Sequence, residues 1–175
     1  MSAAQETTAV DEAEFRRQAE ALIRAGQFLY ERGWVPATSG NFSARLGDER
    51  VAITVSGRHK GALKIDDIMV VDGAGRALDQ AKRPSAETLL HTMLYQRFPE
   101  VGAVLHTHSM NATLLSRERG GTLHLEGYEL LKAFKGVETH ETTVAVPIFA
   151  NDQNIPRLAG EVQAYLDQYG PIPGI

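Results

Sequence analysis

The sequence predicts a single α/β domain, and three observations carry that expectation. Segments with helical spacing alternate with short strand-like runs along the chain. No repeat, low-complexity tract or Pro/Gly-rich linker interrupts them. The 175 residues, 43% hydrophobic and 23% charged, suffice for one ordinary core.

Residues 1–10, MSAAQETTAV, read as a small, polar, flexible leader, and residues 11–175 as the domain. From Asp11 onward, Phe15, Ala19, Leu22, Ile23, Leu29 and Tyr30 recur at helical spacing behind an acidic first turn, and Gly33 stops the helix. Strands are expected over 42–46, 51–55 and 68–71, with Gly47-Asp48 and Gly73-Ala74-Gly75 as turns. Ser85 is the expected N-cap of a helix over 86–98. Residues 101–108 read as the most buried strand, followed by a helix over 111–119 that Gly120-Gly121 stops. A short helix over 128–134, a strand over 143–147 and a helix over 155–169 complete the series.

Composition narrows the function. A net charge of −4 argues against a nucleic-acid module, whose footprint is normally basic. With no cysteine, disulfides, thiolate catalysis and Cys-ligated metal sites are excluded. The N-terminus lacks a secretory pattern, and no apolar run approaches the roughly 20 residues of a membrane helix. A cytoplasmic protein with no membrane partner is therefore expected.

Three constellations could carry chemistry. In Val104-Leu105-His106-Thr107-His108, strand alternation would place His106 and His108 on one face, about 7 Å apart at Cβ. Two imidazoles so placed can share a metal ion, zinc or another transition metal; the plain alternative is a solvated strand face. In Pro84-Ser85-Ala86-Glu87…His91, Glu87 and His91 are four apart and share a helical face, although an acid at a capped helix start is itself ordinary. Thr38-Ser39-Gly40-Asn41-Phe42-Ser43 and Thr54-Val55-Ser56-Gly57 are hydroxyl- and glycine-rich turns of the kind that cradle phosphate, with Arg58 and Lys60 close behind. As ordinary turns they would need no ligand. Glu129 and Lys132 are spaced for a surface ion pair, and His59, His124 and His140 have no partner visible in the sequence.

Thr38-Ser39-Gly40-Asn41, Ser56-Gly57, Pro84-Ser85-Ala86-Glu87 and His106-Thr107-His108, with nineteen residues from Glu87 to His106, resemble the class II aldolase/adducin superfamily from about residue 15 onward. Within it, Ser56-Gly57-Arg58-His59-Lys60-Gly61, Ser85-Ala86-Glu87-Thr88-Leu89-Leu90-His91 and Val146-Pro147-Ile148 are similar to the methylthioribulose-1-phosphate dehydratase family. The resemblance implies a three-layer α/β/α sandwich around a mainly antiparallel sheet, a homotetramer, and a small sugar-phosphate substrate. It also implies one zinc per subunit on His106 and His108, with a third histidine expected beyond Ile175, so that the domain lacks its C-terminal segment. Asn41, Ser56, Gly57 and Ser85 match the phosphate-binding turns. Glu129 matches the dehydratase acid/base, and Glu87 matches the one used by aldolases. The implied reaction is dehydration in methionine salvage. The alternatives are a sugar-phosphate aldolase or epimerase, and a non-enzymatic adducin-like assembly domain.

Overall fold

The computed structural model describes residues 10–47 and 49–172. Residues 1–9 of the expected leader, Asp48 of the expected turn and residues 173–175 lie outside the described residues. The chain forms two compact units, one ending at Thr107 and one starting at His108.

The first unit begins with helix α1 (Glu12–Glu31). Asp11 caps it, its carboxylate accepting from the N–H groups of Ala13 and Glu14 at 2.9 and 3.3 Å. At its other end Gly33, at φ +70°, donates to the Tyr30 carbonyl, while Trp34 donates to that of Leu29. This paired closure satisfies carbonyls that a helix end otherwise leaves open. Within the helix, Gly26 faces the Lys60 carbonyl so closely that a Cβ would collide with it. The absence of a side chain there lets the 3-10 turn Lys60–Ala62 lie against α1.

Strands β1 (Asn41–Arg45), β2 (Val51–Thr54), β3 (Ile68–Val71) and β4 (Ala103–His106) form an antiparallel sheet in the order β3-β2-β1-β4. Alternation sorts their side chains onto two faces. Phe42, Ala44, Ala52 and Ile68 pack with Ala19, Leu22 and Leu29 of α1. Val51, Ile53, Met69 and Val71 pack with Tyr95 of helix α2 (Thr88–Arg97). The unit is thus a helix–sheet–helix sandwich. Arg45 ties α2 down: its guanidinium donates to the carbonyls of Tyr95, Phe98 and Val101 at 2.8, 3.0 and 2.9 Å.

Two expectations need correction here. The strand expected over 101–108 runs only from Ala103 to His106, and Leu105 is exposed rather than buried. The register explains the end: Asn41 opposite His106 is the last pair, because Gly40 at φ +73° turns the chain out of the ladder. Ser85 does not cap α2. Its N–H and hydroxyl both donate to the Thr54 carbonyl, binding the segment to the end of β2, and Glu87 occupies the cap position.

The second unit contains α3 (Met110–Arg119), capped by the Ser109 hydroxyl, and a two-stranded antiparallel sheet of β5 (Thr122–Glu126) and β6 (Thr143–Pro147). Between these strands lies the 3-10 turn Glu129–Ala133. Helix α4 (Ile155–Tyr169) follows Asn154, whose side chain accepts from the Arg157 N–H, and buries Val162 and Leu166. No helix among the described residues is long and apolar enough to cross a membrane.

Candidate active site

The α2-facing side of the sheet is apolar apart from Arg45 and the place where β1 begins and β4 ends. There, alternation places Asn41 and Ser43 of β1 beside His106 of β4, and His91 and Tyr95, one helical turn apart on α2, meet them. A chain of short hydrogen bonds joins these groups. Asn41 Nδ2 donates to Glu87 Oε2 at 2.7 Å, and His91 Nε2 lies 2.6 Å from Asn41 Oδ1. His91 Nδ1 lies 2.6 Å from Ser43 Oγ, which lies 2.9 Å from the Tyr95 hydroxyl. Asn41, Ser43, His91 and Tyr95 are all buried, and Glu87 is half-buried at the open end.

Burial dictates the protonation of this chain. Desolvation, reinforced by the nearby His106, pushes the His91 pKa down to about 3, so the ring is neutral near pH 7. Burial pushes the Tyr95 hydroxyl up to about 12. Lys60, a loop cation in sequence terms, is also buried, and its ammonium donates to the Thr38 and Arg58 carbonyls at 3.0 and 2.7 Å. It thereby joins the two turns expected to cradle phosphate. Burial lowers its pKa, and the Glu87 carboxylate opposes that shift.

The remaining expected residues are distributed more widely. Ser56 and Gly57 form an exposed turn, with Gly57 at φ +74°. Ser85 is buried, its hydroxyl 2.8 Å from the Thr54 carbonyl and 3.0 Å from the Thr54 hydroxyl. His106 closes β4 with its Nδ1 buried, whereas His108 lies beyond the strand and is exposed, so strand alternation does not place the two rings. Among the described residues no group of three or more His, Asp or Glu side chains is gathered for a metal. Glu129 lies in the second unit, well exposed, and binds Lys132 Nζ at 2.7 Å and His140 Nδ1 at 2.9 Å. The Lys132 pair is the one its spacing predicts.

Sequence reasoning missed the parts played by Ser43, Lys60 and Tyr95. A signal existed for two of them: Ser43 is two residues from Asn41 on a strand, and Tyr95 is four from His91 on a helix.

The sheet and its two helices define a class II aldolase fold. A putative aldolase/epimerase/decarboxylase, YgbL, from Escherichia coli matches at TM-score 0.73 and 25% identity, covering 89% of this chain and 72% of that one. An L-fuculose-1-phosphate aldolase from Thermus thermophilus matches at TM-score 0.66 and 26% identity, covering 86% and 71%. The profile of the class II aldolase and adducin N-terminal domain matches residues 20–172, and the chain belongs to that family. A methylthioribulose-1-phosphate dehydratase from Methylococcus capsulatus is 63% identical over 153 residues, covering 87% of this chain and 74% of the relative. One from Marinobacter nauticus is 56% identical over 166 residues, covering 94% and 80%.

Proposed function

We propose that this chain is a metal-dependent hydro-lyase that converts 5-methylthioribulose 1-phosphate to 5-methylthio-2,3-dioxopentyl phosphate and water, a step of methionine salvage. The observation that carries this reading is 56 to 63% identity to dehydratases of that name over 87 to 94% of the chain. The reaction removes the C3 proton beside the C2 carbonyl and expels the C4 hydroxyl as water. The resulting enol takes up a proton at C4 and becomes the second ketone.

His106 and His108 would hold zinc, for which neutral imidazoles are suitable ligands, and the buried Nδ1 of His106 is a nitrogen of the kind such an ion takes. When bound, the ion supplies Lewis-acid polarisation of the carbonyl, which acidifies the neighbouring C–H. Glu129 is the proposed acid/base, its carboxylate oriented by Lys132 and His140. Glu87 is the second carboxylate, and its attachment to the buried Asn41 suits a group whose position must not vary. Asn41, Ser56 and Gly57 receive the phosphate, and Ser85, with its N–H and hydroxyl both donated to the Thr54 carbonyl, serves that site by fixing its segment to the end of β2. Lys60 supports that role by fixing the Thr38 and Arg58 ends of the two turns and supplying positive charge behind them.

The working form is a homotetramer in the cytoplasm, where charged sugar phosphates are retained. Exposed Met110, Leu114, Tyr128 and Leu130 are apolar surface that assembly would cover. The decisive test incubates the zinc-loaded protein with 5-methylthioribulose 1-phosphate and follows loss of one water by mass spectrometry. Formation of the diketone phosphate is expected. Retro-aldol cleavage without dehydration, or no turnover at all, would overturn the proposal.

A further inference from the structure

Each bond of the chain from Tyr95 to Glu87 has a direction that follows from chemistry. A carboxylate accepts and cannot donate, so Asn41 must turn its N–H edge to Glu87 and its carbonyl oxygen to His91. That oxygen also only accepts, so the hydrogen of the neutral His91 ring must sit on Nε2. Nδ1 is then an acceptor and takes the hydroxyl hydrogen of Ser43. With that hydrogen committed, the bond between Ser43 and Tyr95 must be donated by the phenol.

We infer that His91 is a positioning residue: donating from Nε2, it locks the Asn41 amide with its N–H edge toward Glu87 and so fixes the Glu87 carboxylate for the reaction. The kinetic part of this inference rests on the reading that Glu87 serves catalysis. The coupling between His91 and Glu87 does not. His91 touches no substrate in this scheme and acts only through Asn41. Without the Nε2 donor the amide can reverse or swing, and Glu87 would then face a carbonyl oxygen or lose its anchor.

The test has a spectroscopic arm and a kinetic arm, both on the whole chain. Nitrogen NMR of ¹⁵N-histidine-labelled protein, with the His91 signals assigned by their loss in His91→Gln, reads the tautomer directly. The hydrogen is expected on Nε2 alone. In Glu87→Ala, which does not touch the ring, the amide is free to reverse and both tautomers are expected. A hydrogen on Nδ1 in the unaltered protein, or a tautomer indifferent to Glu87→Ala, would overturn the inference. This arm needs no substrate, so it stands or falls separately from the dehydratase reading.

In the kinetic arm, His91→Leu should lower kcat by about tenfold or more with KM within about twofold. His91→Gln, whose amide N–H can replace the Nε2 donor, should recover most of that loss. A loss of thermal stability alike in both variants with kcat unchanged would mark His91 as packing only and refute the kinetic role.

Discussion

Replacing Gly40 by alanine perturbs a point where the backbone geometry of the sheet meets a proposed metal ligand. Gly40 sits at φ +73°, where a residue with a Cβ is less stable by about 1–2 kcal/mol. The added Cβ would also lie 2.6 Å from the His106 carbonyl oxygen and 2.9 Å from Val35 Cγ1, against a usual contact of 3.4 Å or more. Relief requires about 0.8 Å of movement by the His106 backbone, since Val35 is fully buried in the α1 core. The Asn41–His106 pairing would suffer, adding about 1 kcal/mol, for a total of roughly 2–3 kcal/mol. Because the displaced carbonyl belongs to His106, kcat should fall by about tenfold or more as well. Gly33→Ala is the matching control: φ is +70° there, but a Cβ would meet nothing within 4 Å. It should cost only the backbone term and leave kcat unchanged. Urea unfolding and turnover of the sugar phosphate measure both quantities. If Gly40→Ala costs no more than Gly33→Ala and keeps full activity, the steric argument is wrong.

The pH dependence of stability should carry the mark of His91. Its pKa falls from 6.5 to about 3 on folding, so between those values the unfolded chain binds the extra proton and stability rises with pH. This corresponds to roughly 4–5 kcal/mol present above pH 6.5 and lost as pH falls toward 3. Urea unfolding at pH 4, 5 and 6 should show a slope that His91→Gln reduces by about 1.4 kcal/mol per pH unit, and an unchanged slope would contradict the assignment. Arg45→Lys should destabilise by about 2–4 kcal/mol, because one ammonium cannot reach the three carbonyls of Tyr95, Phe98 and Val101 together; thermal unfolding reads this. Lys60→Met should raise KM for the sugar phosphate about tenfold and weaken inhibition by inorganic phosphate, with kcat much less affected. Glu129→Gln should lower kcat by about a hundredfold or more, and a fully active variant would remove that residue from the mechanism.

Much of this fold is legible locally. Helix α4 and strands β3 and β6 run over the expected residues, and α1 begins and ends where Asp11 and Gly33 mark it. Those limits are set by caps and turns that a short stretch of sequence contains. Strand β5 went unread although Leu123 and Leu125 alternate with polar neighbours, because five residues carry little periodic signal. Lys60 was hidden for a different reason: its burial depends on Gly26, thirty-four residues earlier, allowing the turn to approach α1. The site divides in the same way. Asn41, Glu87 and His106 stand out by motif, but their connection through His91 depends on β1 meeting α2 across about fifty residues of chain, which no local pattern encodes.

The placement of polar groups on the α2 face is itself an argument for function. Val51, Ile53, Met69 and Val71 show that this surface can be built from apolar side chains. Where β1 begins and β4 ends, the same face buries Asn41 and Ser43 against His91 of α2. Burying such groups costs stability unless every donor and acceptor is met, and packed apolar residues would meet no such condition. A chain selected for stability alone would have no reason to keep them there. What the polar set provides and an apolar one cannot is a directed run of hydrogen bonds ending on a half-buried carboxylate. That is the form expected of groups that hold a reacting residue in place, and it ties the least apolar part of the core to the chemistry proposed at its edge.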